Sequence, residues 1–253
     1  MESTTEAVHT YSVTEHPLAT LVSALLECAE DEELVDIHKR YAGEKLPHDP
    51  PLCPTLQHAF RLGGRKLPGS WTARHRNMSS RYARLHASEP YQVWLDGYDA
   101  WVRNVVLPIV GSSIYYQRPP TLRVAMVSEH KATIGVHCDA DYPDHHPREI
   151  NFWCPLVDVA DSNALWLESS PGCGDFAPRS LRVGEVLQFD GYRVRHHTQP
   201  NQSGRSRVSF DLRCIPAAAL GVDETPPPMI GEYACAYMPW EPKEEGRNVS
   251  QGS

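Results

Sequence analysis

The chain changes character at Pro119-Pro120, and that change constrains its fold more than any other feature. Before it, apolar residues recur at steps of three and four. Leu18, Leu21, Leu25 and Leu26 share one face of a helix expected over 17–28, and a second helix is expected over 33–41 after an acidic break. Tyr91, Trp94, Tyr98, Trp101, Val102, Val105 and Ile109 line a third helix with an aromatic stripe, read as core packed on a sheet and not as a cofactor box. Four prolines make 45–54 a connector. After Pro120, short segments at 122–128, 133–139, 148–156, 164–168, 185–190, 192–198 and 207–214 read as strands, separated by Gly, Pro, Asp, Asn and Ser clusters. Many short strands behind a helical half predict a mainly β chain, a double-sheet jelly roll buttressed by helices.

Bulk properties narrow the function classes. At 253 residues, the chain is expected to be a single catalytic domain over 1–253, with helical support at 16–118, the jelly-roll core at 119–215 and a C-terminal extension at 216–253. Its hydrophobic content of 41% and charged content of 22% are those of a globular protein. A net charge of −8 argues against a nucleic-acid partner held through phosphates. Seven cysteines without a CxxC pair suggest reduced thiols and a cytoplasmic setting. No apolar run suits a membrane span or a secretory leader, and the N-x-S sequons at Asn77 and Asn248 are chance matches on that reading. The polar ends, 1–15 and 241–253, are expected to fray, and 223–228 is a stiff connector before a last apolar piece at 233–240.

Chemistry concentrates in three places: His137-Cys138-Asp139, His196, and Arg207-Val208-Ser209. Two histidines and a carboxylate can hold Fe(II) on one face and leave its other positions open. Strand alternation tests the idea. Ile134, Val136 and Cys138 should oppose Gly135, His137 and Asp139. Ile150, Phe152 and Cys154 should oppose Asn151, Trp153 and Pro155. Val208, Phe210 and Leu212 should oppose Arg207, Ser209, Asp211 and Arg213. One face in each segment is fit to pack on helices, the other to build a site. His196 falls with Tyr192 and Val194, whereas its rival His197 falls with the solvent-facing Arg193 and Arg195. His145 and His146 read as a loop at the mouth of the site, and His130 as a surface residue. Arg207 lies within its strand on the face of Ser209, eleven residues after His196, whereas Arg205 lies in the preceding turn. An arginine fork with a nearby hydroxyl is a carboxylate receptor.

The wider run is more specific. Pro120-Thr121-Leu122-Arg123 precedes the first motif, and Asn151-Phe152-Trp153-x-Pro155-Leu156 follows it. Phe189-Asp190-Gly191 leads to His196, and Arg207-Val208-Ser209-Phe210-Asp211-x-Arg213 closes the pattern. Over roughly 119–215 the chain resembles the Fe(II)/2-oxoglutarate-dependent dioxygenase superfamily, in particular its streptomycin-biosynthesis dioxygenase-like subgroup. The resemblance implies a double-stranded β-helix of cupin-like form. It implies iron on His137, Asp139 and His196, with O2 as co-substrate. It also implies 2-oxoglutarate chelating the iron through its keto-acid end, with its distal carboxylate on Arg207 and Ser209. Many relatives carry Gly after the distal histidine, where this chain has His197. The presence of Asp139 favours hydroxylation or another oxidative step over halogenation. A small polar metabolite or natural-product intermediate is the implied substrate. Arg123, Asp141, Asn151, Trp153, Trp166 and Glu168 are further pocket candidates. Two rivals remain: a cupin-like metalloenzyme that does not use 2-oxoglutarate, and a non-catalytic binding jelly roll. The oligomeric state is left open.

Overall fold

A computed structural model describes residues 6–26, 28–41, 87–127, 132–143, 145–221, 224–230 and 233–240. The molecule is mainly antiparallel β-sheet with a few helices. Its hub is the strand Arg207–Pro216, β9, buried over nearly its whole length. Chain order before it runs β1 (Ala7–Thr10), α1 (Leu18–Leu25), α2 (Glu89–Trp101), α3 (Leu107–Val110), β2 (Ile114–Gln117), β3 (Thr121–Ala125), β4 (Ile150–Pro155), β5 (Leu165–Leu167), β6 (Ala177–Arg179), β7 (Glu185–Phe189) and β8 (His196–Thr198). After it come β10 (Met229–Ile230) and β11 (Tyr233–Met238). The large sheet has the order β1-β7-β4-β9-β2-β11-β10, with β3 also paired to β9; a smaller sheet has the order β6-β5-β8. Register places Asn151 of β4 opposite Arg213 of β9, and Arg123 of β3 opposite Ser209.

The aromatic stripe is core, as expected. Phe210 takes Trp94, Tyr98 and Trp101 edge-on, at ring separations of 5.6, 6.0 and 5.2 Å. Such edge-to-face clusters stabilise beyond their buried area. Helix α2 starts where Ser88 is extended and Pro90 occupies the first turn, where its missing N–H costs nothing. It widens into a π turn over Val102–Val106 before α3, where Pro108 has no N–H to give the carbonyl four residues back. Gly111 ends the run at φ 71°, the left-handed conformation glycine adopts most readily.

Several expectations need correction. Residues 7–10 do not fray: β1 pairs along β7. The segment 133–139 is not a strand. His137 exchanges backbone hydrogen bonds with His196 (3.1 and 2.8 Å), and then the chain turns, because the Asp139 N–H donates to Gly191 O at 2.8 Å. The expected alternation fails there: Val136 is 53% exposed and Ile134 lines the internal cavity. Of 192–198 only His196–Thr198 is strand, since the N–H groups of Arg193 and Val194 both return to Asp190 O. The second helix, Leu34–Tyr41, is 3₁₀ and not α. Strands β2 and β6 had no strong alternation to announce them. The connector at 45–54, His130, both sequons and the C-terminal tail lie outside the described residues. Among the described residues no helix is long and apolar enough to cross a membrane.

Candidate metal and carboxylate site

Strand β8 and the turn after His137 bring one set of ligand atoms together. His137, Asp139 and His196 each offer an atom within 4.8 Å of the others. The two imidazole rings lie 4.4 Å apart, and Asp139 Oδ1 is 4.0 Å from His137 Nε2. Hydrogen bonding settles the tautomers. His137 Nδ1 contacts Gly135 O at 2.9 Å and His196 Nδ1 contacts Val194 O at 3.1 Å. A carbonyl can only accept, so each Nδ1 carries the proton and each Nε2 presents a lone pair. Burial lowers the pKa of both rings, that of His196 to about 4, which keeps them in the neutral, ligating form. His197 faces elsewhere: its ring packs on Trp166 and Phe176, at 6.0 and 4.8 Å.

Asp139 is 1% exposed and tightly held. Arg213 donates Nε to Oδ2 at 2.7 Å and Nη2 to Oδ1 at 3.0 Å, and Asn151 Nδ2 donates to Oδ2 at 2.7 Å. Burial pushes this carboxyl up, but the Arg213 charge and its hydrogen bonds outweigh burial and hold it well below the usual carboxylate range. Asn151 is oriented in turn by the Gly191 N–H, which donates to its Oδ1 at 3.2 Å. A Cβ on Gly191 would sit 2.4 Å from Asn151 Nδ2, so the close approach requires glycine. Arg213 Nη1 also reaches Asp211 Oδ2 at 3.2 Å, and Asp211 pairs with Arg123. A second set, Asp139, His145 and Glu149, is equally close-spaced. Its cation position is already filled: the Arg213 Nε lies 2.7 Å from Asp139 Oδ2 and 3.9 Å from Glu149 Oε2, and His145 Nδ1 is engaged with Glu149 Oε2 at 2.8 Å.

Arg207 lines a narrow cavity together with Arg123, Ile134, Trp153, Leu165 and His196, and Ser209 follows two residues on along β9, opposite Arg123 in the register. Arg207 is 1% exposed. Its Nη1 donates to Asn163 O at 3.3 Å and its Nη2 to Thr133 Oγ1 at 3.1 Å. Among the described residues, Arg207 Nε and Ser209 Oγ have no hydrogen-bond partner. Leaving a buried polar atom unpaired costs about 1–3 kcal/mol. Burial lowers the Arg207 pKa to about 10, and the neighbouring Arg123 charge adds to this. Arg205 is exposed on the outside. This donor set suits one carboxylate, with a planar guanidinium in the cavity and a buried hydroxyl two residues along the same strand face.

The other residues singled out from the sequence divide. Arg123, Asn151 and Trp153 line the cavity. Asp141 does not: it is exposed, accepts the Cys138 N–H and pairs with Arg195. Trp166 points to the opposite face of β5 and donates Nε1 to Asp161 O. Glu168 is buried but anchors a loop, accepting the N–H groups of Gly174 and Arg195. Sequence reasoning missed the part played by Arg213, Gly191, Thr133 and Asn163. For Arg213 a signal existed, since the polar alternation 207, 209, 211, 213 places it on the cavity face. For the others the contacts are non-local and left no pattern.

No family model matches the chain. Over 141 residues it is 32% identical to the streptomycin biosynthesis protein StrG of Streptomyces griseus, a homologue; the match covers 52% of this chain and 66% of that protein, just under two thirds of the relative's length. Among solved structures, the non-heme monooxygenase ThoJ in its apo form has a TM-score of 0.44 at 13% identity, covering 85% of this chain and 75% of that one. The epimerase SnoN in complex with Fe3+, alpha ketoglutarate and nogalamycin RO has a TM-score of 0.40 at 17% identity, covering 74% and 96%.

Proposed function

We propose that the protein is an Fe(II)- and 2-oxoglutarate-dependent oxygenase acting on a small polar metabolite or natural-product intermediate. The observation that carries this reading is the pair of buried, unpartnered atoms Arg207 Nε and Ser209 Oγ on one face of β9, with Arg207 in a cavity shared with the His196 ligand. His137 and His196 through Nε2, with Asp139, would hold the iron; Arg207 and Ser209 would hold the distal carboxylate of 2-oxoglutarate. The likeness to a streptomycin biosynthesis protein supports the natural-product context. On this reading the two sheets form a double-stranded β-helix, with the helices before it as support, in one catalytic domain. When bound, iron and 2-oxoglutarate supply oxidative decarboxylation with O2, releasing succinate and CO2 and oxidising a substrate C–H.

The chain's own residues orient and exclude. Gly135 O and Val194 O fix the ligand tautomers. Arg207 and Ser209 would fix one end of the co-substrate, which leaves the keto-acid end to face the histidines. Phe189, edge-on to His196 at 5.3 Å, and Trp153 line the cavity with apolar surface that keeps water out. Hydroxylation, desaturation, cyclisation and epimerisation all remain within this chemistry.

The test is anaerobic addition of Fe(II) and 2-oxoglutarate to metal-free protein, following the visible iron-to-keto-acid charge-transfer band. The band should form in the wild type, vanish in His196→Ala, and need far more 2-oxoglutarate in Arg207→Ala. Iron uptake without the band would overturn the 2-oxoglutarate assignment and favour a cupin-like metalloenzyme.

A further inference from the structure

We infer that Arg213 is a positioning residue that makes Asp139 a one-oxygen ligand. The inference rests on the iron reading above and follows from a count of acceptor sites on one carboxylate. An ionised carboxylate offers about four lone-pair sites, two on each oxygen. Arg213 takes one on Oδ2 and one on Oδ1, through bonds of 2.7 and 3.0 Å. Asn151 takes a second on Oδ2, at 2.7 Å. Oδ2 is then full, and a single site remains, on Oδ1. That oxygen is the one 4.0 Å from His137 Nε2.

The consequence is a count of open metal positions. A carboxylate bound through both oxygens would occupy two places on an octahedral ion and leave two beside the histidines. Bound through Oδ1 alone it leaves three, enough for a chelating keto acid and one more ligand. Arg213 is well built for this restraint. It is 8% exposed and rises from the hub strand directly opposite Asn151, so neighbouring strands deliver both donors to the same carboxylate. Its remaining amino group is held by Asp211 at 3.2 Å, which stops the fork from turning away. Groups that hydrogen-bond a ligating carboxylate orient it and tune the metal in this way.

The experiment titrates Co(II) into metal-free protein and then 2-oxoglutarate into the Co(II)-loaded protein, following the visible Co(II) bands. Wild type, Arg213→Lys and Asn151→Ala are compared. Lysine keeps the charge but cannot fork, and alanine frees one site on Oδ2 without changing charge. Both variants should bind Co(II) at least as tightly as wild type. Arg213→Lys should bind 2-oxoglutarate about 10–100-fold more weakly, an effect as large as the partners of a metal ligand exert on metal affinity or activity elsewhere, and Asn151→Ala should weaken it less. Unchanged 2-oxoglutarate affinity in both variants would overturn the inference. So would a parallel loss of Co(II) and 2-oxoglutarate, which marks a loosened fold. Should Arg213→Lys not fold, Asn151→Ala decides alone. Wild type that binds no Co(II), or binds it equally in His196→Ala, would instead sink the iron reading, and this inference with it.

Discussion

Arg207 and Arg213 stand at the two ends of one strand face, both buried, in opposite states. Arg213 forks onto Asp139 and reaches Asp211, so each of its bonds meets a carboxylate or the side-chain amide of Gln117. Among the described residues Arg207 meets only a carbonyl and a hydroxyl, and its Nε donates to nothing. One end of the cavity is electrostatically complete as folded. The other keeps a buried cation with donors to spare, which is costly unless a ligand supplies the missing charge. On the proposed reading, the contrast separates a guanidinium that builds the site from one that would receive the co-substrate carboxylate.

The largest effect that could break this contrast is on stability. Arg213→Met should cost about 3–5 kcal/mol, since it strands the buried Asp139 charge. Arg207→Met should leave the ligand-free protein within about 1 kcal/mol of wild type, because it removes two hydrogen bonds to neutral acceptors and, with them, the desolvation cost of a buried charge that has no carboxylate on it. Urea unfolding of both variants checks this, and equal losses would erase the distinction. Next in size is Gly191→Ala. The added methyl must displace Asn151 from Asp139, at about 1–3 kcal/mol for overpacking a buried position. Thermal unfolding of that variant reads it, and a wild-type midpoint would show that the Gly191–Asn151 contact is not tight. The smallest effect sharpens the ligand set. His197→Gln should leave Fe(II) affinity unchanged, because the His197 ring packs on Trp166 and Phe176 and not on the cavity. A lost metal site in that variant would reverse the assignment of His196.

Legibility followed the range of the interaction. The aromatic stripe of α2 and the two faces of β9 are local periodicities, and both hold: Phe210 meets Trp94, Tyr98 and Trp101, while 207, 209, 211 and 213 carry the polar groups. The same rule misled at 133–139. There the backbone follows β8 and the turn at Gly191 instead of an even pleat, so Ile134 turns inward and Val136 outward. Trp166 and Glu168 look like site residues on a short strand, but one faces away and the other holds a loop. Neither outcome is visible without the neighbouring chain.

By itself, the sequence determined the aromatic helix, the two faces of β9 and the chemical types a metal and a carboxylate would need. Those are properties of residue type and of spacing along one helix or strand. Only the tertiary structure decided which groups meet. The Asp139–Arg213 fork joins residues far apart in the chain, and its partner Asn151 is set by the register of β4 on β9. Whether a buried charge is satisfied depends on what other segments bring to it, and packing settles that where periodicity cannot.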